Sequence, residues 1–111
     1  MYTAVASNVF KHSINRLRAF LSKKYDDEFA GKQIESIRND IESKLCTNPT
    51  IAPVSERLLA LGMSEYRQWC IDKHNILYFR VREESSQIEL LAVMDSRQSI
   101  QKLLFEVMVL A

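Results

Sequence analysis

Five polar side chains in the second half of the chain could take part in acid–base chemistry or anion binding: Arg67, His74, Tyr78, Arg80 and Arg97. An unperturbed imidazole titrates near neutral pH, as a general base must. A guanidinium group binds phosphate or carboxylate through paired hydrogen bonds. These residue types therefore suggest a site that holds an anionic group and moves a proton, provided that the fold brings several of them together.

Each of these side chains also has a structural interpretation. His74 lies at a predicted hairpin corner, which favours an exposed turn residue over a general base. Arg80 lies beside Tyr78, whose role the pattern leaves open, and an ion pair explains this arginine as well as an anion site does. Arg97 has the best claim to function, because an arginine at a strand-to-helix junction can extend over the sheet. The carboxylates available as ion-pair partners are Glu65 and Glu89 for Arg80, and Asp72 and Asp95 for Arg97.

Three apolar segments would carry these residues: Tyr66–Asp72, His74–Arg82 and Gln87–Asp95. They are rich in β-branched and aromatic residues and are separated by short polar corners, which predicts an antiparallel meander of three strands. Strand alternation places Tyr78 and Arg80 on one face, where we expect function, and Leu77 and Phe79 on the other. In the third strand it places Ile88, Leu90, Ala92 and Met94 on one face, and Glu89, Leu91, Val93 and Asp95 on the other.

Helices account for most of the remaining chain. Apolar residues recur every three or four positions in two segments before the sheet and in one after it, which predicts two amphipathic helices in series and a C-terminal helical segment. The first helix begins near Ser7 or Asn8, and Asp26 to Glu28 mark the start of the second. The predicted stripes are Phe10, Ile14, Leu17, Leu21 and Tyr25; then Ile34, Ile37, Ile41 and Leu45; then Ile100, Leu103, Leu104, Val107 and Leu110.

The connections follow from turn residues and composition. Met1–Ala6 is strand-like and could pair at the edge of the meander. Thr47–Ser64 holds both prolines and forms the crossover, with a turn of helix over Ser55–Leu61 that stops at Gly62. At 111 residues the chain is long enough for one domain. We therefore predict a single α+β domain, residues 1–111, in which an N-terminal helical hairpin packs on a small antiparallel sheet and a C-terminal helical segment follows.

Composition narrows the function classes. The net charge of +1 gives no overall attraction to nucleic acid. Cys46 and Cys70 lack the spacing of a zinc or redox site and lie in apolar patterns, so we expect buried free thiols, no bound metal and no cofactor. No secretion signal or membrane-spanning run is evident, which predicts a cytoplasmic protein without a membrane partner.

Four segments, in this order, resemble the RelE/ParE superfamily of small bacterial toxins encoded with an antitoxin. They are NPTIAP at 48–53, the Tyr66-Arg67 pair that opens the meander, HNILYFRV at 74–81, and IELLAVMDSRQSI at 88–100. The resemblance covers nearly the whole chain in architecture and these segments in residue type. It implies a toxin that a cognate antitoxin neutralises in a hetero-oligomer.

The resemblance leaves two modes of action open. RelE-like members cut messenger RNA on the ribosome with several basic residues, whereas ParE-like members inhibit DNA gyrase without such a set. This chain has Trp69 and Ile71 where a RelE-like strand would carry further basic residues, and Asp95-Ser96 precedes Arg97 where many members have a histidine. These departures favour the ParE-like branch and a growth-inhibiting gyrase poison that is not an enzyme.

The alternatives are a ribosome-dependent mRNA endonuclease and a non-toxic module that only binds antitoxin. The endonuclease would use Arg67, Tyr78, Arg80 and Arg97 to hold phosphate and transfer protons. For the antitoxin we expect two docking modes, strand addition at a sheet edge and a helix in an apolar groove. The expected contact residues are Trp69, Leu103, Leu104 and Val107, and an apolar C-terminal helix would also suit a homodimer.

Overall fold

A computed structural model describes the backbone of residues 1–110 and the side chains of residues 1–107. The elements are β1 (Thr3–Ala6), α1 (Asn8–Lys24), α2 (Asp27–Asp40), α3 (Glu56–Leu59), β2 (Arg67–Cys70), β3 (Asn75–Arg82), β4 (Gln87–Asp95) and α4 (Ile100–Leu110). Short π- and 3₁₀-helical turns occupy Ile41–Leu45, Pro49–Ile51 and Glu83–Ser85. The predicted meander is confirmed as β2, β3 and β4, with the first two strands shorter than expected at their ends.

The four strands form one sheet in the order β1-β4-β3-β2. β1 pairs with β4 at the edge of the meander, as predicted, but the two strands run parallel, with Thr3 opposite Gln87. The sheet is therefore mixed: its three meander strands are antiparallel, as predicted, and β1 adds a parallel edge strand. The reason lies in the connection: the helical hairpin and the crossover bring the chain back so that β2 runs in the same direction as β1. The two antiparallel pairings that follow then make β4 parallel to β1 as well.

Side-chain caps fix the starts of the helices. Ser7 Oγ accepts a hydrogen bond from the Phe10 amide at 3.0 Å, and Asp26 Oδ1 accepts one from the Phe29 amide at 2.7 Å. These caps confirm the predicted starts of α1 and α2. Tyr25, however, is the C-cap of α1 rather than part of its buried stripe, and it is 51% exposed because the backbone leaves the helix there.

Both faces of the sheet are covered. The hairpin of α1 and α2 packs on one face, and α3 and α4 contribute to the apolar cluster on the other. We call these the hairpin face and the lid face. The largest buried residues of the hairpin-face cluster include Leu17, Ile37, Leu45, Leu77 and Phe79. The lid-face cluster contains Leu58, Ile76, Tyr78, Leu91, Ala92, Met94, Ile100 and Leu103.

A β-bulge in β4 changes which residues share a face. Tyr78 lies opposite Ala92, but the next residue, Phe79, lies opposite Leu90, so Leu91 is the extra residue. An extra residue reverses the alternation beyond it. Ala92 and Met94 therefore belong to the lid face, while Ile88, Leu90 and Val93 belong to the hairpin face. The predicted grouping of Ile88, Leu90, Ala92 and Met94 on one face was wrong for this reason.

Ser13 accepts a hydrogen bond from a backbone amide beside this bulge. Its hydroxyl, buried within α1, accepts a hydrogen bond from the Val93 amide at 3.0 Å and donates one to the Phe10 carbonyl at 2.7 Å. Ser7 makes a similar link, because its hydroxyl donates to the Leu90 carbonyl at 2.8 Å. Two serines of the N-terminal segment thus satisfy β4 backbone groups beside the bulge.

We expect Ser13→Ala to lower the free energy of unfolding by about 1–3 kcal/mol, because it leaves the buried Val93 amide without an acceptor. Urea denaturation measures this. Ser22→Ala is the matched control on the same helix, because no side-chain hydrogen bond of Ser22 is present among the described residues. Equal losses in the two variants would rule out this role of Ser13.

The cysteines differ from the prediction in one respect. Cys46 is buried, and burial raises the pKa of its thiol. Cys70 is exposed, so the prediction of two buried thiols was wrong for this residue, which ends the edge strand β2. Over residues 1–107 no group of His, Cys, Asp or Glu side chains has a metal-binding arrangement. None of the helices in the described part of the chain is long and apolar enough to span a membrane.

Candidate functional site

The sheet separates the four residues proposed for nuclease chemistry. Arg67 lies opposite Phe79 in the β2–β3 register and so shares the hairpin face. Tyr78 belongs to the lid face, and strand alternation places Arg80 there too. Arg97 follows the end of β4 and reaches the aromatic ring of Phe20 on α1. The fold therefore does not bring these four side chains to one site.

Arg67 anchors the crossover. Its Nη1 donates a hydrogen bond to the Ala52 carbonyl at 2.6 Å, and its backbone forms an isolated bridge with Val54. The Gln68 amide also donates to the Pro53 carbonyl at 3.0 Å. The crossover thus covers the start of the outer edge of β2, and the guanidinium of Arg67 serves that contact.

Tyr78 is fully enclosed. Its side chain has no exposed surface, and its hydroxyl has no hydrogen-bond partner among the residues that the structure describes. In this conformation the phenol cannot reach a bound substrate.

Arg80 is part of an ion-pair network. Its Nε lies 2.7 Å from Glu89 Oε2, its Nη1 lies 3.3 Å from Glu65 Oε2, and Glu89 Oε1 also accepts from Arg82 Nε at 2.6 Å. The guanidinium carbon lies 5.6 Å from the centre of the Tyr66 ring. The hydrogen bond from Arg80, followed by that from Arg82, lowers the pKa of Glu89. The ion-pair interpretation of Arg80 is therefore confirmed, with both predicted carboxylates.

Arg97 forms a bidentate ion pair with Asp95. Its Nε lies 2.7 Å from Asp95 Oδ1 and its Nη2 lies 2.7 Å from Oδ2. Asp95 is only 1% exposed, and the hydrogen bond from Arg97 is the main reason that the pKa of this carboxyl is lowered. The Arg97 side chain remains 39% exposed, and its guanidinium carbon lies 5.4 Å from the centre of the Phe20 ring. Of the two acids predicted to pair with Arg97, the structure selects Asp95.

A cleft of about 210 Å³ lies where the tip of the helical hairpin meets the β2–β3 corner. It brings Arg97 together with Lys73, His74, Tyr25 and Phe29. The rings of Tyr25 and Phe29 contact each other at a tilt of 47°, with centroids 4.5 Å apart. The sequence patterns did not predict this cleft. Tyr25 fits the apolar stripe of α1, and the acidic residue that caps α2 indicates only that α1 ends nearby.

Asp72 fixes the corner beside this cleft. Its Oδ1 accepts hydrogen bonds from the amides of His74 and Asn75 at 2.8 and 2.9 Å, and its Oδ2 accepts one from Asn75 Nδ2 at 2.8 Å. Burial acts to raise the pKa of Asp72, but these hydrogen bonds from Asn75 and His74 outweigh it, and the pKa is lowered. His74 is an exposed corner residue, as predicted. The positive charges of Lys73 and Arg97 are matched by Asp72 and Asp95, so the cleft has little net attraction for a phosphate.

The residues predicted to bind antitoxin pack against their own sheet. Trp69 is 9% exposed in the hairpin-face cluster and lines a groove of about 510 Å³ beside the crossover. Leu103 is fully buried in the lid-face cluster, and Leu104 and Val107 are half-buried against it. Phe105, on the outer side of α4, is 68% exposed. Antitoxin binding at the four predicted positions stays a prediction.

Comparison with known proteins finds similar structures but no match in sequence. No protein-family model matches the chain, and no curated protein sequence matches it. A chain of the toxin–antitoxin complex RelBE2 from Mycobacterium tuberculosis superposes with a TM-score of 0.64 at 12% identity, over 85% of this chain and 96% of that one. The conserved hypothetical protein HP0892 from Helicobacter pylori gives a TM-score of 0.49 at 15% identity, over 93% and 99% of the two chains. The chain therefore shares the α+β fold of the chain from the RelBE2 complex.

Proposed function

We propose that this chain is the toxin of a type II toxin–antitoxin pair and that it acts by binding a protein target, DNA gyrase, rather than by cutting RNA. The observation that carries this proposal is the separation of the four nuclease candidates. Arg67 holds the crossover, Tyr78 is buried, and Arg80 and Arg97 are each neutralised by a carboxylate. RNA cleavage requires two or three groups that converge on one phosphate.

Two features support an antitoxin partner. The fold is similar to that of a chain in a toxin–antitoxin complex. A groove of about 440 Å³ between α1 and α2 also runs beside the outer edge of β1, and Phe10, Ile14, Ile34 and Ile41 line it. An apolar groove next to an open sheet edge suits both a helix and an added strand of a partner. The antitoxin would bind there, at the predicted residues around Trp69 and α4, or at both.

A second candidate, ribosome-dependent cleavage of messenger RNA, has one specific observation in its favour. The cleft at the hairpin tip holds an imidazole, His74, beside the cations of Lys73 and Arg97 and the phenol of Tyr25. Of the four residues predicted from sequence for nuclease chemistry, only Arg97 belongs to this set. Such a set could activate a hydroxyl, but Asp72 and Asp95 offset its cations, so contacts within the ribosome would have to hold the phosphate in place.

Induction of the chain alone in a bacterium separates the candidates. We expect growth arrest with a DNA-damage response while translated messages stay intact. His74→Ala should arrest growth as strongly as the natural chain, because the exposed imidazole makes no described side-chain hydrogen bond. Arg67→Ala should also keep its toxicity, provided that it stays folded.

Two other outcomes would contradict the gyrase proposal. Early cleavage of translated messages, lost in His74→Ala but kept in a Lys32→Ala control, would replace gyrase binding with endonuclease activity. Growth without either response, by a chain that still binds its antitoxin, would leave only the non-toxic binding module. Lys32 is a suitable control because it forms an exposed i,i+4 pair with Glu28 on α2.

A further inference from the structure

Two buried polar atoms in the described side chains have no hydrogen-bond partner, Tyr78 OH and His12 Nε2. Folded proteins satisfy nearly all such groups, so each exception calls for a physical reason. Tyr78 belongs to the lid-face cluster to which α4 contributes, and His12 faces α4 from α1. Both exceptions therefore lie where α4 meets the rest of the chain.

Among the described residues, the contact of α4 with the sheet is apolar and includes no hydrogen bond. Ile100 and Leu103 are buried in the lid-face cluster, and Leu104 and Val107 pack against it. This spacing of i, i+3, i+4 and i+7 forms a single helical stripe. The Tyr78 hydroxyl lies within the cluster that this stripe helps to close, where it is shielded from water and has no acceptor in the described part of the chain.

One acidic residue supplies the charged link between α4 and α1. Glu106 Oε2 lies 3.1 Å from Arg16 Nη2, and Glu106 Oε1 lies 3.6 Å from His12 Nε2, beyond hydrogen-bonding distance. Glu106 is 45% exposed and Arg16 is 26% exposed, so water weakens the attraction. This link holds α4 in place with only a small energy.

The segment before α4 is tied more firmly. The Ser96 amide donates to the His74 carbonyl at 2.6 Å, and the Gln98 amide donates to the Asp95 carbonyl at 2.9 Å. Together with the bidentate pair of Asp95 and Arg97, these bonds hold the chain as far as Gln98. Movement of α4 would therefore begin at Ser99 and leave β4 in place.

We propose that α4 is a lid that opens while the rest of the domain stays folded, and that Glu106 is its latch. Opening gives the Tyr78 hydroxyl access to water and uncovers Ile76, Ala92 and Met94 beside it. The closed state keeps the apolar stripe out of water but carries the cost of the unsatisfied phenol. The proposed opening of α4 does not depend on which target the chain binds. A partner can reach the lid face of the sheet only while α4 is open.

Hydrogen exchange of the full chain, followed by mass spectrometry, tests the lid. In the natural chain the amides of α4 should exchange faster than those of β3 and β4, because local opening precedes global unfolding. Glu106→Gln should speed exchange in α4 by roughly two- to fivefold, the effect of a half-exposed ion pair, and leave β3 and β4 unchanged. Glu84→Gln, which removes an exposed acid from the β3–β4 turn, is the matched control and should change neither.

Tyr78→Phe should act in the opposite direction. Without the unsatisfied hydroxyl, the closed state is relatively more stable, so exchange in α4 should slow by roughly fivefold or more. A chain in which α4 exchanges at the rate of β3 and β4, with both variants shifting all three elements equally, would show that α4 is an ordinary part of the core. Faster exchange of α4 in Tyr78→Phe would likewise overturn the lid.

Discussion

Phe79→Ala is expected to lower the free energy of unfolding by about 3–5 kcal/mol, the usual cost of removing a buried aromatic side chain. Phe79 has no exposed surface and lies on β3, the strand that pairs with both β2 and β4. The bulge begins at its contact with Leu90, and the helical hairpin covers it. The cavity would therefore open at the centre of the hairpin-face cluster, where neighbouring elements cannot close around it.

Phe105→Ala is the matched control, because that ring is 68% exposed and should change stability by no more than about 0.5 kcal/mol. Chemical denaturation at neutral pH measures both. Since small domains have only about 5–15 kcal/mol of stability, Phe79→Ala should leave a chain that unfolds at markedly lower denaturant concentration. A loss as small as that of Phe105→Ala would mean that the hairpin face repacks freely.

Asp95→Asn should be the most costly polar substitution, with a loss of about 2–3 kcal/mol at neutral pH, because it removes a buried charged acceptor of Arg97. Asp40→Asn is the control. Its partner, Lys44, is a largely exposed i,i+4 lysine at 3.5 Å, and such pairs contribute about 0.5 kcal/mol or less. Comparable losses in the two variants would show that the buried pair adds nothing beyond a surface contact.

The effect of Asp95→Asn should also depend on pH in a defined direction. The pKa of Asp95 is lowered in the folded chain, chiefly by Arg97, so the folded state holds this proton less tightly than the unfolded state. Its stabilisation is therefore complete above the unfolded pKa of about 3.9 and is lost as the pH falls through the lower folded value. The difference between the natural chain and Asp95→Asn should shrink across that acidic window, and a difference that grows there would contradict the assignment.

The fold was largely predictable because its local signals agree. Ser7 and Asp26 mark the starts of α1 and α2, and the segment Gln87–Asp95 became β4 with its predicted limits. Ser55 and Gly62 frame the short helix of the crossover, where Gly62 adopts a positive φ of 83°. Helix caps, polar turns and apolar periodicity depend on residues close together in sequence, so they can be recognised from the sequence alone.

The features that the sequence did not predict share a different cause. The extra residue Leu91 is apolar like its neighbours, so nothing in the β4 pattern reveals the bulge. The direction of β1 depends on the long crossover, and the exposure of Cys70 depends on which strand ends up at the edge. All three are set by tertiary pairing.

The candidate site was predictable only in part. Sequence identified Arg80 and Arg97 and named their carboxylate partners, because each arginine had acids at suitable positions nearby in the predicted meander. It could not show that Arg67 and Tyr78 face opposite sides of a sheet covered on both faces. The cleft that joins Tyr25 to His74 forms between residues far apart in sequence, and local patterns carry no information about it.

The parallel pairing of β1 with β4 has a consequence for synthesis of the chain. Thr3–Ala6 are made long before their partners, Gln87–Leu90. A chain emerging from the ribosome therefore exposes this edge strand, and the Ser7 hydroxyl that bonds to Leu90, until the β4 segment has also emerged. The complete sheet, and any activity that depends on it, can form only after β4 has emerged.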